Sequence, residues 1–340
     1  MTYRRWFQKL TVVVFLAFTT ASCAFAQEFK RIIFFGDSLS DPGNFFVACR
    51  TSLITSCEPF LVPPFTDPIP SAPYAIGGMH FSDGATWAER LARALHNQAS
   101  GSPALRQPNV FNNYAVGRAR ARAGAPVFSD FDLSTQVGRF LADGKTGSAD
   151  DLFVIWIGSN DMGDALLDPP DAGTILTQAL TATLTNIQVL YANGARNFLV
   201  VNLPNLALTP VVRSLGPVAQ AGATQIERSY NSLLNGYVGT VLPAVLPGSK
   251  FIYLDANAVL ESIVADPAAN GFADVTDSCL TFGVSTGAFC SKPKTFLFWD
   301  GFHPTTAGHE VLAKAALSAI GISSAGTDNH VGTVLGLGAQ

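Results

Sequence analysis

A serine stands directly after a run of apolar and β-branched residues, where the chain would expose it. The segment "RIIFFGDSLSDPGN" (31–44) leaves its apolar run at Gly36-Asp37-Ser38 and continues into a stretch rich in turn residues. Such a tripeptide after a strand is most often only a turn. The same position suits a serine nucleophile, because its hydroxyl must reach both a base and a substrate. Ser38 is therefore our candidate nucleophile.

A histidine and an aspartate near the C terminus could activate that serine. The segment "FWDGFHPTTAGH" (298–309) places Asp300 three residues before His303. If the loop turns back on itself, the carboxylate reaches one imidazole nitrogen and leaves the other for a serine. The alternative is a surface pair beside a helix start. We predict that Ser38, His303 and Asp300 form a catalytic triad.

Serine catalysis also needs hydrogen-bond donors for the oxyanion. We predict three such donors, the backbone N–H groups of Ser38 and Gly117 and the side-chain amide of Asn160. Gly117 lies in "NNYAVGRARA" (112–121) and Asn160 in "GSND" (158–161). Glycine lets a backbone approach a substrate closely. Taken singly, Gly117 is an ordinary turn glycine and Asn160 a loop residue that bonds its own backbone.

Short apolar runs alternate with helical patterns along the chain. Five runs predict buried strands, at 31–36, 110–116, 151–158, 197–204 and 251–255, and four amphipathic patterns predict helices, at 83–97, 172–195, 219–238 and 305–321. This alternation predicts an α/β fold with a parallel sheet. Because ligands bind beyond the carboxyl ends of such strands, we expect the motifs that follow the strands to meet at one edge.

The two ends of the chain differ from its body. Residues 1–26 combine three basic residues, a short apolar run and a small-x-small motif, which predicts a cleaved signal peptide. A lipoprotein anchor at Cys23 is the weaker interpretation, because Thr20 stands where a bulky apolar residue is usual. We expect one domain over 27–321, a flexible tail over 322–340, and a secreted or periplasmic protein.

Charge and composition exclude some classes of partner. Of 21 Lys+Arg residues, the three in the signal segment leave 18 against 25 Asp+Glu, a net charge of −7. A mildly acidic surface does not favour nucleic-acid binding. No metal or organic cofactor is expected, and the oligomeric state is left open.

Four cysteines remain after the predicted cleavage: Cys49, Cys57, Cys279 and Cys290. An even number in an exported chain suggests disulfide bonds. The simplest of the three pairings joins Cys49 to Cys57 and Cys279 to Cys290. Both bonds would hold long loops, at 41–80 and at 264–298.

The segments "FGDSLSDPGN", "NNYAVGRARA", "GSND" and "DGFHP" resemble the sequence blocks of the GDSL esterases and lipases, or SGNH hydrolases. The resemblance spans residues 34–304. Within the family, the chain resembles the branch of secreted bacterial lipases and phospholipases. The resemblance implies a flavodoxin-like α/β/α sandwich with a five-stranded parallel sheet, and it implies the same roles for the five residues proposed above. Many relatives have glycine where this chain has Arg118. We expect the side chain of Arg118 to be solvated. An inward arginine would favour an acidic or phosphate-bearing substrate.

The function expected is hydrolysis of carboxylic esters through an acyl-enzyme, with short or medium acyl chains favoured. The apolar loop 59–76 is a candidate wall of the acyl pocket. The alternatives are a phospholipase or lipid acyltransferase in transient contact with a membrane surface, a polysaccharide acetylesterase, and a non-catalytic binding module.

Overall fold

The computed structural model describes residues 29–51, 53, 60–62, 65–67, 79–124, 131–280 and 289–322. The predicted signal peptide, the last eighteen residues and most of the loop 59–76 lie outside these ranges. In chain order the elements are β1 (Arg31–Gly36), α1 (Asn44–Arg50), β2 (Phe60–Val62), β3 (Phe65–Asp67), α2 (Trp87–Ala94), α3 (Gln98–Gly101), α4 (Leu133–Ala142), β4 (Asp151–Trp156), α5 (Ser159–Leu167), α6 (Ala172–Ala192), β5 (Asn197–Val201), α7 (Pro210–Ser214), α8 (Pro217–Gly236), α9 (Leu242–Val245), β6 (Lys250–Leu254), α10 (Ala256–Ala265), β7 (Asp274–Ser278), β8 (Phe296–Phe298) and α11 (Thr306–Ala319).

A parallel sheet in the order β1-β4-β5-β6 forms the centre of the fold. Its registers pair Ile33 with Phe153 and Phe153 with Phe198. Because the strands are parallel, their carboxyl ends lie at one edge, and the segments that follow β1, β4, β5 and β6 emerge there. The predicted α/β fold with a parallel sheet is confirmed.

The predicted strand 110–116 is not a regular strand, so the main sheet of the described residues has four strands. The segment runs beside β1, with bonds from Phe34 N to Asn112 O (3.0 Å) and from Tyr114 N to Phe34 O (2.8 Å). The side-chain amide of Asn44 donates to the carbonyls of Asn113 (2.7 Å) and Ala115 (2.8 Å). The Val116 N–H also donates to the Gly36 carbonyl (3.1 Å), so the segment continues the hydrogen bonding of β1 as an irregular outer segment, while Asn44 bonds the carbonyls on its other edge.

Alternating residues of the strands pack into two apolar layers. Ile33, Phe35 and Phe153 point to one face, which is covered by α4, α6 and α8. Ile32 and Phe34 point to the other, which is covered by α2 and α11. All five side chains are at most 1% exposed. Strands covered on both faces explain the nearly continuous apolar runs of the sequence, and the result is an α/β/α sandwich.

Both loop-rich regions contain short elements that the sequence did not predict. Region 41–80 holds α1 and the antiparallel pair β2–β3, and region 264–298 holds the parallel pair β7–β8. Cys279 and Cys290 form a disulfide bond beside this second pair, which confirms their predicted pairing. Cys49 is also disulfide-bonded, and Cys57 lies outside the described residues. Over the described ranges, no helix has both the length and the apolar composition needed to cross a bilayer.

Candidate active site

Ser38 is held by a tight turn at the carboxyl end of β1. The Asp37 carboxylate accepts the Leu39 N–H (3.0 Å), and the Asp37 carbonyl accepts the Ser40 N–H (3.1 Å). The buried Gln136 side chain bonds both backbone groups of Gly36, accepting from its N–H (2.9 Å) and donating to its carbonyl (2.8 Å). These two hydrogen bonds fix the end of the strand before the serine. Gln136 has no sequence signal, because it comes from a helix a hundred residues away.

Gly36 is needed for close packing between strands. A Cβ atom at this position would lie 2.6 Å from the carbonyl oxygen of Trp156. Real Cβ atoms do not approach oxygen so closely, so any larger residue would push β1 and β4 apart. The glycine before the Asp-Ser pair therefore has a packing role.

His303 bonds Ser38 and Asp300 simultaneously. Its Nε2 atom is 2.8 Å from Ser38 Oγ, and its Nδ1 atom is 2.7 Å from Asp300 Oδ2. The other carboxylate oxygen of Asp300 accepts the backbone N–H groups of Phe302 (2.8 Å) and His303 (2.7 Å). The loop thus turns back on itself as the Asp-x-x-His spacing predicted. All three polar residues are at most 8% exposed, so their bonds are largely shielded from water.

Phe81 fills the space beside the imidazole. Its ring centroid lies 5.2 Å from that of His303. A Cβ atom on Gly117 would lie 2.2 Å from the Phe81 ring, so the ring and the glycine backbone are packed against each other. No sequence pattern singles out Phe81, because its position beside His303 and Gly117 depends on segments that meet only in the folded chain.

The predicted oxyanion role of the Gly117 N–H does not agree with its hydrogen bond. This N–H donates to Asp41 Oδ2 (2.7 Å). The buried Asp41 carboxylate also accepts the N–H groups of Gly43 (2.7 Å) and Phe45 (3.0 Å), so it gathers several amides at one centre. The Gly117 N–H is therefore used in a structural hydrogen bond beside the site. The residue of this turn that lines the pocket is the next one, Arg118.

Arg118 is buried, which corrects the expected solvated side chain. It is 8% exposed, lines the pocket together with Ser38 and His303, and places its guanidinium 5.6 Å from the centre of the Phe45 ring. Its backbone has φ +68°, a left-handed conformation that is uncommon outside glycine. The glycine that many relatives have at this position would adopt it without strain.

Asn160 lines the same pocket at the start of α5. Its side-chain amide donates one hydrogen bond to the Ala119 carbonyl (2.9 Å), and a primary amide has a second hydrogen to donate. The N-cap of α5 is Gly158, with φ +121°. Ser38, Arg118, Asn160 and His303 therefore line one cavity.

Ion pairs tie the 117–122 segment to α5. Asp161 accepts from the Ala121 N–H (2.7 Å) and from the Arg122 guanidinium (2.7 Å). Asp164 accepts two bonds from Arg120 (2.7 and 2.8 Å) and one from Arg122 (2.6 Å). Burial raises the pKa of Asp164, but Arg120 and Arg122 outweigh it and hold that pKa below its usual value. These pairs fix Asn160 relative to the 117–122 segment.

Asp37 is a second buried carboxyl group beside the triad. Burial is the main cause that raises its pKa to about 7, and the positive charge available on His303 opposes this shift. Its Oδ2 atom has no hydrogen-bond partner within the described part of the chain. No cluster of three or more His, Cys, Asp or Glu residues suited to a metal ion occurs among the described residues.

The chain is similar to known esterases and lipases over most of its length. The sequence model of the family described as GDSL-like Lipase/Acylhydrolase matches residues 32–316. A GDSL esterase/lipase of Arabidopsis thaliana is 26% identical over 87% of this chain and 92% of its own length. A phosphatidylcholine-sterol acyltransferase of Aeromonas hydrophila is 27% identical over 97% of this chain and 90% of its own. The solved acetylxylan esterase Axe2 of Geobacillus stearothermophilus is 17% identical, with a TM-score of 0.41 over 86% of this chain and 96% of that one.

Proposed function

Because this chain belongs to the GDSL-like lipase/acylhydrolase family and is a carboxylic ester hydrolase, we propose that Ser38, His303 and Asp300 are its catalytic triad. One observation carries the proposal. A single imidazole bonds the serine hydroxyl at 2.8 Å through Nε2 and the aspartate at 2.7 Å through Nδ1. This is the relation between nucleophile, base and orienting group that serine catalysis requires.

The reaction follows from the direction of these bonds. Ser38 Oγ attacks the ester carbonyl while His303 Nε2 takes its proton, and Asp300 stabilises the imidazolium through Nδ1. The imidazolium then protonates the leaving alcohol, and the acyl group stays on Ser38. A water molecule gives a proton to His303 and attacks the acyl carbonyl, which releases the acid and restores the serine.

The proposed oxyanion hole consists of the Ser38 N–H, the Asn160 amide and one N–H of the 117–118 turn. We assign the third donor to the Arg118 N–H, because Arg118 lines the pocket while the Gly117 N–H donates to Asp41. A strained, left-handed backbone at this residue is typical of functional sites. The side chain of Arg118 has no part in this assignment.

Export of the protein is part of the proposal. It is supported by the predicted signal peptide and by the Cys279–Cys290 disulfide, because such bonds persist in oxidising compartments. Short or medium acyl esters are the proposed substrates.

Covalent labelling with a fluorophosphonate tests the proposal, because the probe reacts with an activated serine. We expect stoichiometric labelling of the wild type and none of Ser38→Ala. Ser40→Ala is the control, since Ser40 lies in the same turn but accepts the Trp87 indole N–H (3.0 Å). Equal labelling of wild type and Ser38→Ala would refute the assignment of Ser38.

Acyl transfer is a second candidate function. It is supported by the 27% identity to a phosphatidylcholine-sterol acyltransferase over nearly the whole of both chains. Phosphatidylcholine vesicles with and without a sterol distinguish the two, because transfer forms a sterol ester and hydrolysis forms free fatty acid. Release of fatty acid alone in both preparations would exclude the transferase.

A further inference from the structure

One short segment contacts both sides of the candidate triad. Residues 81–90, here called the bracket, form a loop followed by the first turn of α2. The loop half contacts the segment that carries His303, and the helical half contacts the turn and the strand that carry Ser38. Because the serine and the histidine are 265 positions apart in sequence, their distance in space depends on contacts of this kind.

The loop that carries His303 bonds β8 on one edge and the bracket on the other. The buried Ser82 hydroxyl donates to the carbonyl of Pro304 (2.9 Å), the residue that follows His303. The Asp83 carboxylate accepts the N–H of Thr306 (2.6 Å), the first residue of α11. Among the described strands, β8 pairs with β7 and not with the main sheet. The pairing of β8 therefore does not fix the loop relative to β1.

Thr306 is the centre of a second set of bracket contacts. Its hydroxyl accepts from the Arg90 guanidinium (2.7 Å) and donates to the Ala85 carbonyl (3.2 Å). A Cβ atom on Gly84 would lie 3.0 Å from this hydroxyl oxygen, so the backbone of the bracket packs directly against Thr306. The start of α11, three residues after His303, is thus held by the bracket through several contacts.

Trp87 attaches the bracket to the side of the nucleophile. Its side chain is fully buried, and its indole N–H donates to the hydroxyl of Ser40 (3.0 Å), in the same turn as Ser38. Its ring centroid lies 6.2 Å from that of Phe34 in β1 and 5.3 Å from that of Trp156 in β4. Because these contacts share the attachment, α2 stays in place when one of them is lost.

We propose that Ser82 and Asp83 are positioning residues, which hold His303 at hydrogen-bonding distance from Ser38. This rests on the proposed triad. The bonds of Asp300 shape the histidine loop but belong to it and move with it, whereas the bracket is attached to both sides of the triad. Neither Ser82 nor Asp83 lines the cavity, so each acts on the reaction through His303. A displacement of about 1 Å can lower a rate by about 10²-fold.

The measurement is kcat/KM on ethyl butyrate and on p-nitrophenyl butyrate. Ethanol leaves with a proton from His303, whereas p-nitrophenolate is a stable anion and leaves without one. A displaced imidazole therefore slows hydrolysis of the ethyl ester more than hydrolysis of the p-nitrophenyl ester. The ratio of the two values is internal to each preparation, so it does not depend on the folded fraction.

Asp83→Ala should lower kcat/KM on ethyl butyrate by about 10²-fold and raise the p-nitrophenyl-to-ethyl ratio at least about fivefold. Asp83→Asn keeps an acceptor for the Thr306 N–H, so its ratio should stay within about twofold of the wild type. Ser82→Ala tests the other bond independently and should raise the ratio as well.

Asp151→Ala is the matched control. Asp151 also accepts a backbone N–H, from Ser148 (2.9 Å), and pairs with Arg31 (2.6 Å), but it lies at the amino edge of the sheet. This variant should lower Tm and leave the ratio unchanged. An unchanged ratio in Asp83→Ala, whatever its Tm, would overturn the role of Asp83, and the same result in Ser82→Ala would overturn that of Ser82. Failure of the proposed triad is distinct, because Ser38→Ala would then still hydrolyse both esters.

Discussion

The exchange Asp300→Asn replaces one carboxylate oxygen by an amide nitrogen at nearly constant size. In the structure Oδ1 accepts two backbone N–H groups, from Phe302 (2.8 Å) and His303 (2.7 Å), and Oδ2 accepts from His303 Nδ1 (2.7 Å). The asparagine carbonyl can keep both backbone bonds, so we expect the turn to persist. Its NH₂ group then faces Nδ1 and requires an acceptor there. The imidazole must therefore carry its proton on Nε2.

A proton on Nε2 removes the acceptor that lies 2.8 Å from Ser38 Oγ. The same exchange in a serine-protease triad lowers kcat by about 10⁴-fold, which corresponds to about 5.4 kcal/mol of activation free energy. The fold should lose much less, about 1.5–3 kcal/mol for one charge-assisted hydrogen bond. KM should change little, because Asp300 is not among the residues that line the cavity.

The assay is steady-state hydrolysis of p-nitrophenyl octanoate, with Tm measured by circular dichroism on the same samples. Asp274→Asn is the matched control. Asp274 Oδ1 also accepts two backbone N–H groups, from Thr276 (2.9 Å) and Asp277 (2.9 Å), in the irregular strand β7, which contains no histidine. This variant should keep its kcat.

A folded Asp300→Asn protein whose kcat stays within about tenfold of the wild type would refute the tautomer argument. It would also remove Asp300 from the proposed triad. If both activity and Tm fall, the pH profile distinguishes unfolding from the wrong imidazole tautomer. A misplaced imidazole proton leaves a residual activity that rises with hydroxide concentration, whereas unfolded protein leaves none.

Four other exchanges test parts of the structure outside the triad. Asn160→Ala should lower kcat by about 10²–10³-fold, which is the loss for one oxyanion donor. Arg118→Gly keeps its backbone N–H and should lower kcat by less than about tenfold. A larger loss for Arg118→Gly would assign the oxyanion role to the side chain of Arg118. Burial raises the pKa of Asp37 to about 7, so the folded protein binds more protons than the unfolded chain between about pH 4 and 7, and Tm should fall as pH rises through that range. Asp37→Asn keeps an acceptor for the Leu39 N–H and should flatten this pH dependence; an unchanged slope would contradict it. Cys279→Ser opens a disulfide between residues 11 positions apart and should lower the unfolding free energy in urea by about 3 kcal/mol; an unchanged midpoint would show that the bond does not stabilise the fold.

Local patterns were enough to predict most of the sheet and its main helices. The runs at 31–36 and 151–158 contain β1 and β4, because buried strands need apolar side chains on both faces. The exception was 110–116, an irregular segment that bonds β1 on one edge, while the carbonyls on its other edge accept the side-chain amide of Asn44. No local pattern signals this, because Asn44 is about seventy residues away in sequence.

The candidate site also combines features that local sequence predicts with features that depend on distant residues. The Asp300–His303 spacing predicted a turn that closes on itself, and short-range backbone bonds form that turn. The burial of Arg118 was predicted wrongly, and the bond from the Gly117 N–H to Asp41 was not predicted. Both depend on Asp41 and Phe45, which reach the 117–118 turn only through the folded chain.

The sequence by itself determined the four strands of the main sheet, several of the helices that cover it, the serine at a strand end and the aspartate beside its histidine. Each of these depends on residues close together in the chain. Only the tertiary structure decided that His303 meets Ser38 across 265 positions, which amide groups face the pocket, and that the bracket contacts both the turn of Ser38 and the loop of His303. These features arise from packing between distant elements, and their geometry is set by side chains that sequence spacing cannot relate.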